Sequence, residues 1–431
     1  MVEDQTKSTA RAKSVTLNIL EELLPKEPES GVGVRFWDGS LWPDEQPRNT
    51  TIVLNHPGAL KSMFSSMSEL GLAEAYLYDD FDVEGDIERV YDLGESLIKT
   101  TTSLQKKLKM SLSLRRLPEV DDHIHGTRGP AELSGEVHSI ERDREAISYH
   151  YDVSNDFYAL WLDRNLVYSC AYFDDPKEDL DSAQLRKLDY ICRKLRLKPG
   201  QHLLDIGCGW GGLVKYAAEN YGVGVKGITL SQPQAELANQ RLLEAGLDDK
   251  ARVVVQDYRE VEVSEGYDAL VSIGMVEHVG AAKLETYFKK AMEVLRPGGV
   301  FLNHGIASNA TVKARSGPTF IQRYVFPDGE LTPINVSLKA AESTGFEVRD
   351  VESLREDYVL TLRHWVRRLE ENHLGALEYI SEPTYRVWRL FMSAYAYGFS
   401  TGKSNVYQSL LVKQDSDGSS KLPLTRADWY E

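Results

Sequence analysis

The stretch Leu204–Gly212, "LDIGCGWGG", is a short apolar run carrying one acid that breaks into a glycine-rich turn. With the two residues before it, "HLLDI" reads as a buried strand, and a helix is expected to begin near Gly211. A strand that gives way to glycines and then to a helix is the place where an open parallel sheet binds its ligand.

The surrounding chain has the same alternation. "GVKGITL", "ARVVVQD", "YDALVSI" and "GGVFLNH" read as strands, and "QPQAELANQRLLEAG" and "AKLETYFKKAMEVL" read as helices between them. "GFEVRDVESL" and "NVYQSLLVKQ" supply two further strands, and Tyr358 to Phe399 reads as helices covering the sheet. The expected fold is α/β, with a mainly parallel seven-stranded sheet covered by helices on both faces. The polar residues that end its strands are Asp205, Thr229 with Ser231, Asp257, Glu277 and His304, and all should line one edge.

A glycine turn can hold a dinucleotide, whose pyrophosphate sits on a helix N-terminus. Here an acid, Asp205, precedes Gly207, Gly209 and Gly211, which suits an ammonium better than a phosphate. The second strand ends in "TLS" rather than in the acid that holds an NAD ribose. S-adenosylmethionine, with an amino acid tail and no phosphate, fits this pattern. An ordinary tight turn does not account for these features together.

The 431 residues suffice for two domains, and the net charge of −16 argues against nucleic acid as partner. Three scattered cysteines, Cys170, Cys192 and Cys208, form neither a disulfide framework nor a zinc cage, and a reducing cytoplasm fits. His123 and His125 lack further spaced ligands, so no metal is expected. "MVEDQTKSTARAKS" lacks the apolar core of a signal peptide, and no run approaches the ~20 apolar residues of a membrane span. Membrane contact, if made, is peripheral.

Residues 1–120 read as a smaller N-terminal α+β domain: a polar, frayed start, strands in "GVGVRFWDGSLWP" and "TTIVLNHP", then helical spacing broken at Gly71 and Gly85. Between Ser96 and Pro118 there are six Lys and Arg and no Asp or Glu. Leu97, Leu104, Leu108 and Leu112 share one helical face, with Lys99, Lys106 and Lys109 away from it. Such a helix suits an anionic lipid surface, or it packs on its own domain with a solvated basic face. Residues 121–145 read as a linker, and 146–431 as the catalytic domain.

"YHYDVSNDFYALWLD", "LVYSCAYF", "LDIGCGWGGL", "GITLSQPQ", "QDYRE" and "IGMVEHVG", in this order, resemble the cyclopropane-fatty-acyl-phospholipid synthase family, which includes the mycolic acid cyclopropane synthases. The resemblance runs from about Ala146 to Gln414. It implies a class I S-adenosylmethionine-dependent methyltransferase of Rossmann-like fold. Its substrate would be the cis double bond of an unsaturated membrane phospholipid, met by a homodimer at the inner face of the membrane. A methylene or methyl branch in place of the ring is an alternative product. For the cofactor it implies Tyr168 and Ser169 near the methionine tail and Gly207 and Gly209 under the sulfur-bearing chain. Thr229, Leu230, Ser231 and Gln234 would surround the ribose, and Asp257 and Tyr258 would lie near the adenine. Asp205 joins this set through its charge.

The resemblance also implies bicarbonate as the base, caged by Cys170, Glu277, His304, Ile306 and Tyr358. Cys170 as a thiolate nucleophile and His304 as a core histidine stay open as rival readings. An alkene is a weak nucleophile, so such a site must offer position and dryness, with aromatic faces to stabilise a cation. Tyr149, Tyr151, Tyr168, Tyr172 and Phe173 are candidates for those faces.

Overall fold

The computed structural model describes residues 2–24, 31–64, 66, 68–100, 104–119, 129, 131, 133–151, 153–311 and 319–430. His123 and His125 lie outside the described residues, as do the side chains of Leu97, Lys99, Leu104, Lys106 and Lys107.

The described residues form two compact units. One comprises Met1–Pro130 with Ser316–Val325 and Ser381–Tyr397; the other comprises Ala131–Arg315, Phe326–Ile380 and Gly398–Glu431.

In the first unit, β1 (Val32–Arg35), β2 (Leu41–Trp42), β3 (Thr50–Leu54) and β4 (Phe81–Gly85) make a four-stranded sheet in the order β2-β1-β3-β4. Two details differ from the sequence expectation. The N-terminal segment is a helix, Val2–Leu23, because Ala12, Thr16, Ile19 and Leu20 recur at helical spacing and are buried. The helical run after Gly58 is also interrupted earlier than Gly85. Asp79 adopts a positive φ of 65°, and "FDVEG" then pairs antiparallel with β3, burying Phe81 and Val83 on one face.

Most of the helix Glu382–Ser400 belongs to this first unit, whereas the sequence reading assigns it to the large sheet. Its Arg386 donates to the Tyr76 carbonyl at 2.9 Å, to Asp79 at 2.7 Å and to Asp82 at 3.0 Å. Arg389 donates to the Tyr76 hydroxyl at 2.9 Å and the Val83 carbonyl at 3.0 Å. Two guanidinium groups with their hydrogen bonds satisfied tie the segment to the small sheet, a contact that helical spacing alone does not reveal. The helix Leu104–Leu114 buries Met110 and Leu114 but leaves Leu108 64% and Leu112 51% exposed.

The second unit holds the seven-stranded sheet: β5 (His202–Ile206), β6 (Gly224–Thr229), β7 (Ala251–Val255), β8 (Tyr267–Ile273), β9 (Leu295–Ser308), β10 (Glu347–Ser353) and β11 (Ser404–Val412). Their order is β10-β11-β9-β8-β5-β6-β7. β11 runs antiparallel to both neighbours, and β5 to β9 are parallel. Both faces are buried, which explains the unbroken apolar runs. Leu203 packs with Val214, Ala217 and Ala238 on one face, whereas the next residue, Leu204, packs with Phe288, Ala291 and Phe301 on the other. From β5 the chain steps outward to β6 and β7 and returns on the opposite side of β5 to β8. This reversal opens a crevice at the carboxyl ends of β5 and β8.

Candidate active site

The turn after β5 is held by its own backbone. The amides of Gly207 and Cys208 both donate to the Ile228 carbonyl at the end of β6, at 2.9 Å and 3.0 Å. Gly211 has φ 74° and immediately precedes the helix Gly212–Tyr221. A Cβ there would lie 2.9 Å from that of Ala238, so both backbone and space require glycine. Gly209 also has a positive φ, and a Cβ built on it meets nothing within 4 Å.

Asp205, the penultimate residue of β5, is buried, with its carboxyl pushed up to about 7 by desolvation while the Lys187 ammonium pulls it down. An ammonium ligand placed beside this buried acid would favour its ionised form. At the end of β6, the Thr229 hydroxyl donates to Gln234 Oε1 at 2.8 Å. Ser231 caps the helix Gln232–Glu244, its Oγ accepting from the Gln234 amide at 3.4 Å.

All the expected cofactor residues except Ser231 line one cleft. Ser231 shapes the cleft as a helix cap instead. Asp257 is clamped by Arg259, whose Nε and Nη2 donate to its two carboxylate oxygens at 2.7 Å and 2.6 Å. The same guanidinium reaches Asp143 at 2.9 Å and the His138 carbonyl at 3.0 Å, which draws the helix Ile140–Tyr151 onto the cleft. Arg142 of that helix pairs with Asp328, Nη2 to Oδ1 at 2.9 Å. His138 and Asp143 line the cleft although the sequence reading places them in a linker.

The strip Tyr168–Ser169–Cys170 is held by the helix Leu180–Lys194. Gln184 Nε2 donates to the Ser169 carbonyl at 2.8 Å, and Lys187 Nζ donates to Ser169 Oγ at 2.9 Å. Sequence reasoning missed Lys187, Trp210 and Arg259 as cleft residues, whereas Tyr151, expected as an aromatic face, does line the cleft. A signal existed for Lys187: Leu180, Gln184, Lys187, Ile191 and Lys194 lie on one helical stripe, and three of these buried positions are polar. Tyr151 and Tyr168 meet edge to face in the cleft, with centroids 6.1 Å apart. Tyr172 stacks on Tyr190 at 4.6 Å and Phe173 on His364 at 5.7 Å, and neither lines the cleft.

Cys170, Glu277, His304, Ile306 and Tyr358 are not among the residues lining the cleft, but several are coupled to it. Lys187 acts electrostatically on Asp205, Cys170 and His304, and Glu277 acts on Tyr151, whose phenol burial has already raised. Glu277 Oε1 accepts the Ile306 amide at 2.6 Å, while Oε2 is buried with no partner among the described residues. Burial pushes this carboxyl up to about 7, and the Ile306 bond opposes the shift.

His304 binds Gln408 through Nδ1 at 3.2 Å, and its buried Nε2 has no partner among the described residues. Burial, then Lys187 and Lys194, hold it well below the usual histidine range. Desolvation likewise raises the Cys170 thiol well above its ordinary value, and Sγ donates to the Ala171 carbonyl at 3.2 Å. A thiol so held is a poor nucleophile. The Tyr358 ring packs on Phe399 at 4.8 Å and on Trp365 at 6.1 Å.

Sheet order, glycine turn and acid-lined cleft define a class I S-adenosylmethionine-dependent methyltransferase. The profile of the mycolic acid cyclopropane synthetase family matches residues 138–409, and the chain belongs to that family. A domain of unknown function matches residues 19–107.

The chain is 40% identical over 401 residues to a "Probable fatty acid methyltransferase" of Pseudomonas putida, covering 92% of this chain and 95% of that one. It is 37% identical over 269 residues to the cyclopropane-fatty-acyl-phospholipid synthase of Escherichia coli, covering 62% and 68%. Among solved structures, the cyclopropane synthase MmaA2 of Mycobacterium tuberculosis is 33% identical with a TM-score of 0.59, covering 62% of this chain and 97% of that one. The mycolic acid cyclopropane synthase CmaA1 in complex with SAH and CTAB is 34% identical with the same score and coverage.

Proposed function

We propose that the protein transfers the methyl carbon of S-adenosylmethionine to the cis double bond of a phospholipid acyl chain and closes a cyclopropane ring. The observation that carries this reading is the pair of buried, unpartnered atoms Glu277 Oε2 and His304 Nε2, coupled to a cofactor cleft with aromatic walls. Buried polar atoms without partners are costly, and a pair of them suggests a small polar guest.

Bound S-adenosylmethionine supplies an electrophilic sulfonium methyl. The chain's part is to orient it: Asp205 takes the ammonium, Ser169 and Lys187 stand by the amino acid tail, and Gly209 leaves space for close approach. Tyr151 and Tyr168 offer aromatic surface to the positive charge that develops on the acyl chain, with no ionised thiol nearby to trap it. Cys170, Glu277, His304, Ile306 and Tyr358 would hold a bicarbonate ion, which would act as the base for the new methyl group. Of these, the Ile306 amide and the Cys170 thiol already donate within the protein, so capacity for the ion rests on Glu277 and His304. A protonated Glu277 and a neutral His304 would each donate to the anion.

A second reading gives a methylene or methyl branch. It is favoured by the Pseudomonas putida relative, a "Probable fatty acid methyltransferase" aligned over nine-tenths of both chains. The basic helix Leu104–Leu114, with Leu108 and Leu112 exposed, would dock on the inner membrane face.

Both readings are tested by incubating the protein with methyl-labelled S-adenosylmethionine and liposomes of cis-unsaturated phospholipid, followed by proton NMR of the lipid. High-field ring protons establish the first reading and vinylidene or branch-methyl protons the second. No labelled lipid overturns both.

A further inference from the structure

Glu352, Gln408 and His304 form one row across three strands. Glu352 of β10 is the register partner of Gln408 of β11, and Gln408 is the register partner of His304 of β9. Directly opposed residues in a sheet put their side chains on the same face. Onto this row the helix Leu180–Lys194 lowers Lys194, whose Nζ pairs with Glu352 and donates to Gln408 Oε1 at 2.8 Å. The ammonium is caged by the Tyr190 ring at 4.4 Å and the Trp429 ring at 5.3 Å, and the Tyr190 hydroxyl donates to Glu352 at 3.1 Å. Lys194, Gln408 and His304 are all at most 2% exposed.

Donor and acceptor chemistry then leaves one arrangement. An ammonium has no lone pair to offer, so the Gln408 amide must present its oxygen to Lys194 and its NH2 to His304. The NH2 donates to His304 Nδ1 at 3.2 Å, so that nitrogen carries a lone pair and the single ring proton sits on Nε2. Nε2 is the buried atom without a partner among the described residues. An amide flip would set two donors, the glutamine NH2 and the Lys194 ammonium, against each other, so the order of the chain determines the tautomer.

We propose that Lys194 and Gln408 are positioning residues that lock His304 as the neutral Nε2–H tautomer, making it a hydrogen-bond donor in the reaction site and not its base. This rests on the reading above only in placing His304 at the reaction. The tautomer follows from the hydrogen-bond row alone. The proton lost by the substrate must then go to another acceptor, the anion that Glu277 and His304 would hold.

The test is 15N NMR of the full-length protein labelled in its histidine rings, with His304 assigned from the signal lost in His304→Gln. The wild type should show a protonated Nε2 and an unprotonated Nδ1, with no titration through the ordinary histidine range. Gln408→Glu places an acceptor against Nδ1 and should move the proton there. Its kcat should fall roughly 100-fold or more while the affinity for S-adenosylhomocysteine stays within about twofold. Lys194→Met should give a mixture of tautomers with an intermediate kcat.

A protonated Nδ1 in the wild type, or a His304 that titrates near neutrality, overturns the proposal even if neither Gln408→Glu nor Lys194→Met folds. A tautomer moved by Gln408→Glu with kcat unchanged overturns the positioning role. Failure of the functional reading is seen separately, as absence of methylated lipid with the wild-type protein whatever its tautomer.

Discussion

The Ile306 amide donates to Glu277 Oε1 at 2.6 Å, joining the short helix Val276–Val279 to strand β9, while the other oxygen of this buried carboxyl, Oε2, has no partner among the described residues. Glu277→Gln can keep an acceptor for Ile306 but cannot ionise or present a carboxyl proton. We expect kcat for lipid methylation to fall by about 100-fold or more, with S-adenosylmethionine affinity changed by less than about threefold. Initial rates with labelled cofactor and calorimetric binding separate the two quantities. Near-normal turnover would remove Glu277 from the chemistry.

Asp205 gives a pH prediction with a definite sign. Its folded value of about 7 lies above the ordinary 3.8, so below pH 7 the free protein holds it mostly protonated. An ammonium ligand prefers the ionised form, so binding must expel the proton. Affinity for S-adenosylhomocysteine should therefore fall about tenfold per pH unit below 7 and level off above it. Calorimetry in buffers of different ionisation heat should record the released proton. Asp205→Asn should bind more weakly at pH 8 and lose the pH slope.

Lys187→Met removes a fully buried ammonium while preserving much of its volume. The Ser169 hydroxyl loses its charged donor, a bond worth about 1.5–3 kcal/mol, so cofactor affinity should weaken by roughly 10- to 100-fold. Burial already lowers Lys187 to about 8, so the wild type itself should lose this contribution as pH rises through that value. Binding titrations of both proteins between pH 7 and 9 would check this; they should converge at the alkaline end.

Arg259→Ala strips both carboxylate contacts from Asp257, which is 2% exposed, and releases Asp143 on the helix Ile140–Tyr151. Leaving a buried charge unpaired costs about 3 kcal/mol, and the unfolding temperature should fall by several degrees. Adding Asp257→Asn should recover part of that loss, whereas a purely local role for Arg259 would leave the double variant no better. Scanning fluorimetry decides.

Leu108 and Leu112 stand exposed beside Lys109 on the helix Leu104–Leu114. If this face enters an anionic bilayer, replacing both leucines with glutamine should weaken sedimentation with phosphatidylglycerol vesicles by about tenfold or more, since each buried leucine contributes about 1.5–3 kcal/mol. Lys106→Glu with Lys107→Glu should weaken it chiefly at low salt. Unchanged sedimentation of both variants would assign the helix to some other surface.

The strand, glycine turn and helix around Asp205 were legible because their signals are local. Apolar runs buried on both faces, glycines where φ is positive and a polar residue at each strand end all sit within a few residues of one another. Strand β4 was not legible, since "FDVEG" acquires its partner only when β3 is alongside. The same holds for Glu382–Ser400, whose apolar spacing announces a helix but whose unit is decided by Arg386 and Arg389 finding carbonyls about 300 residues away in sequence.

By itself, the sequence determined the parallel sheet, the acid-and-glycine turn and the cofactor class, because alternating periodicity and turn chemistry act over a single strand-to-helix step. Only the tertiary structure decided how the functional groups are held. Lys187 over Ser169, Arg259 over Asp257, and Lys194 and Gln408 behind His304 join elements far apart in sequence. Burying those charges in a dry interior makes the partner, not the residue type, set what each group can do.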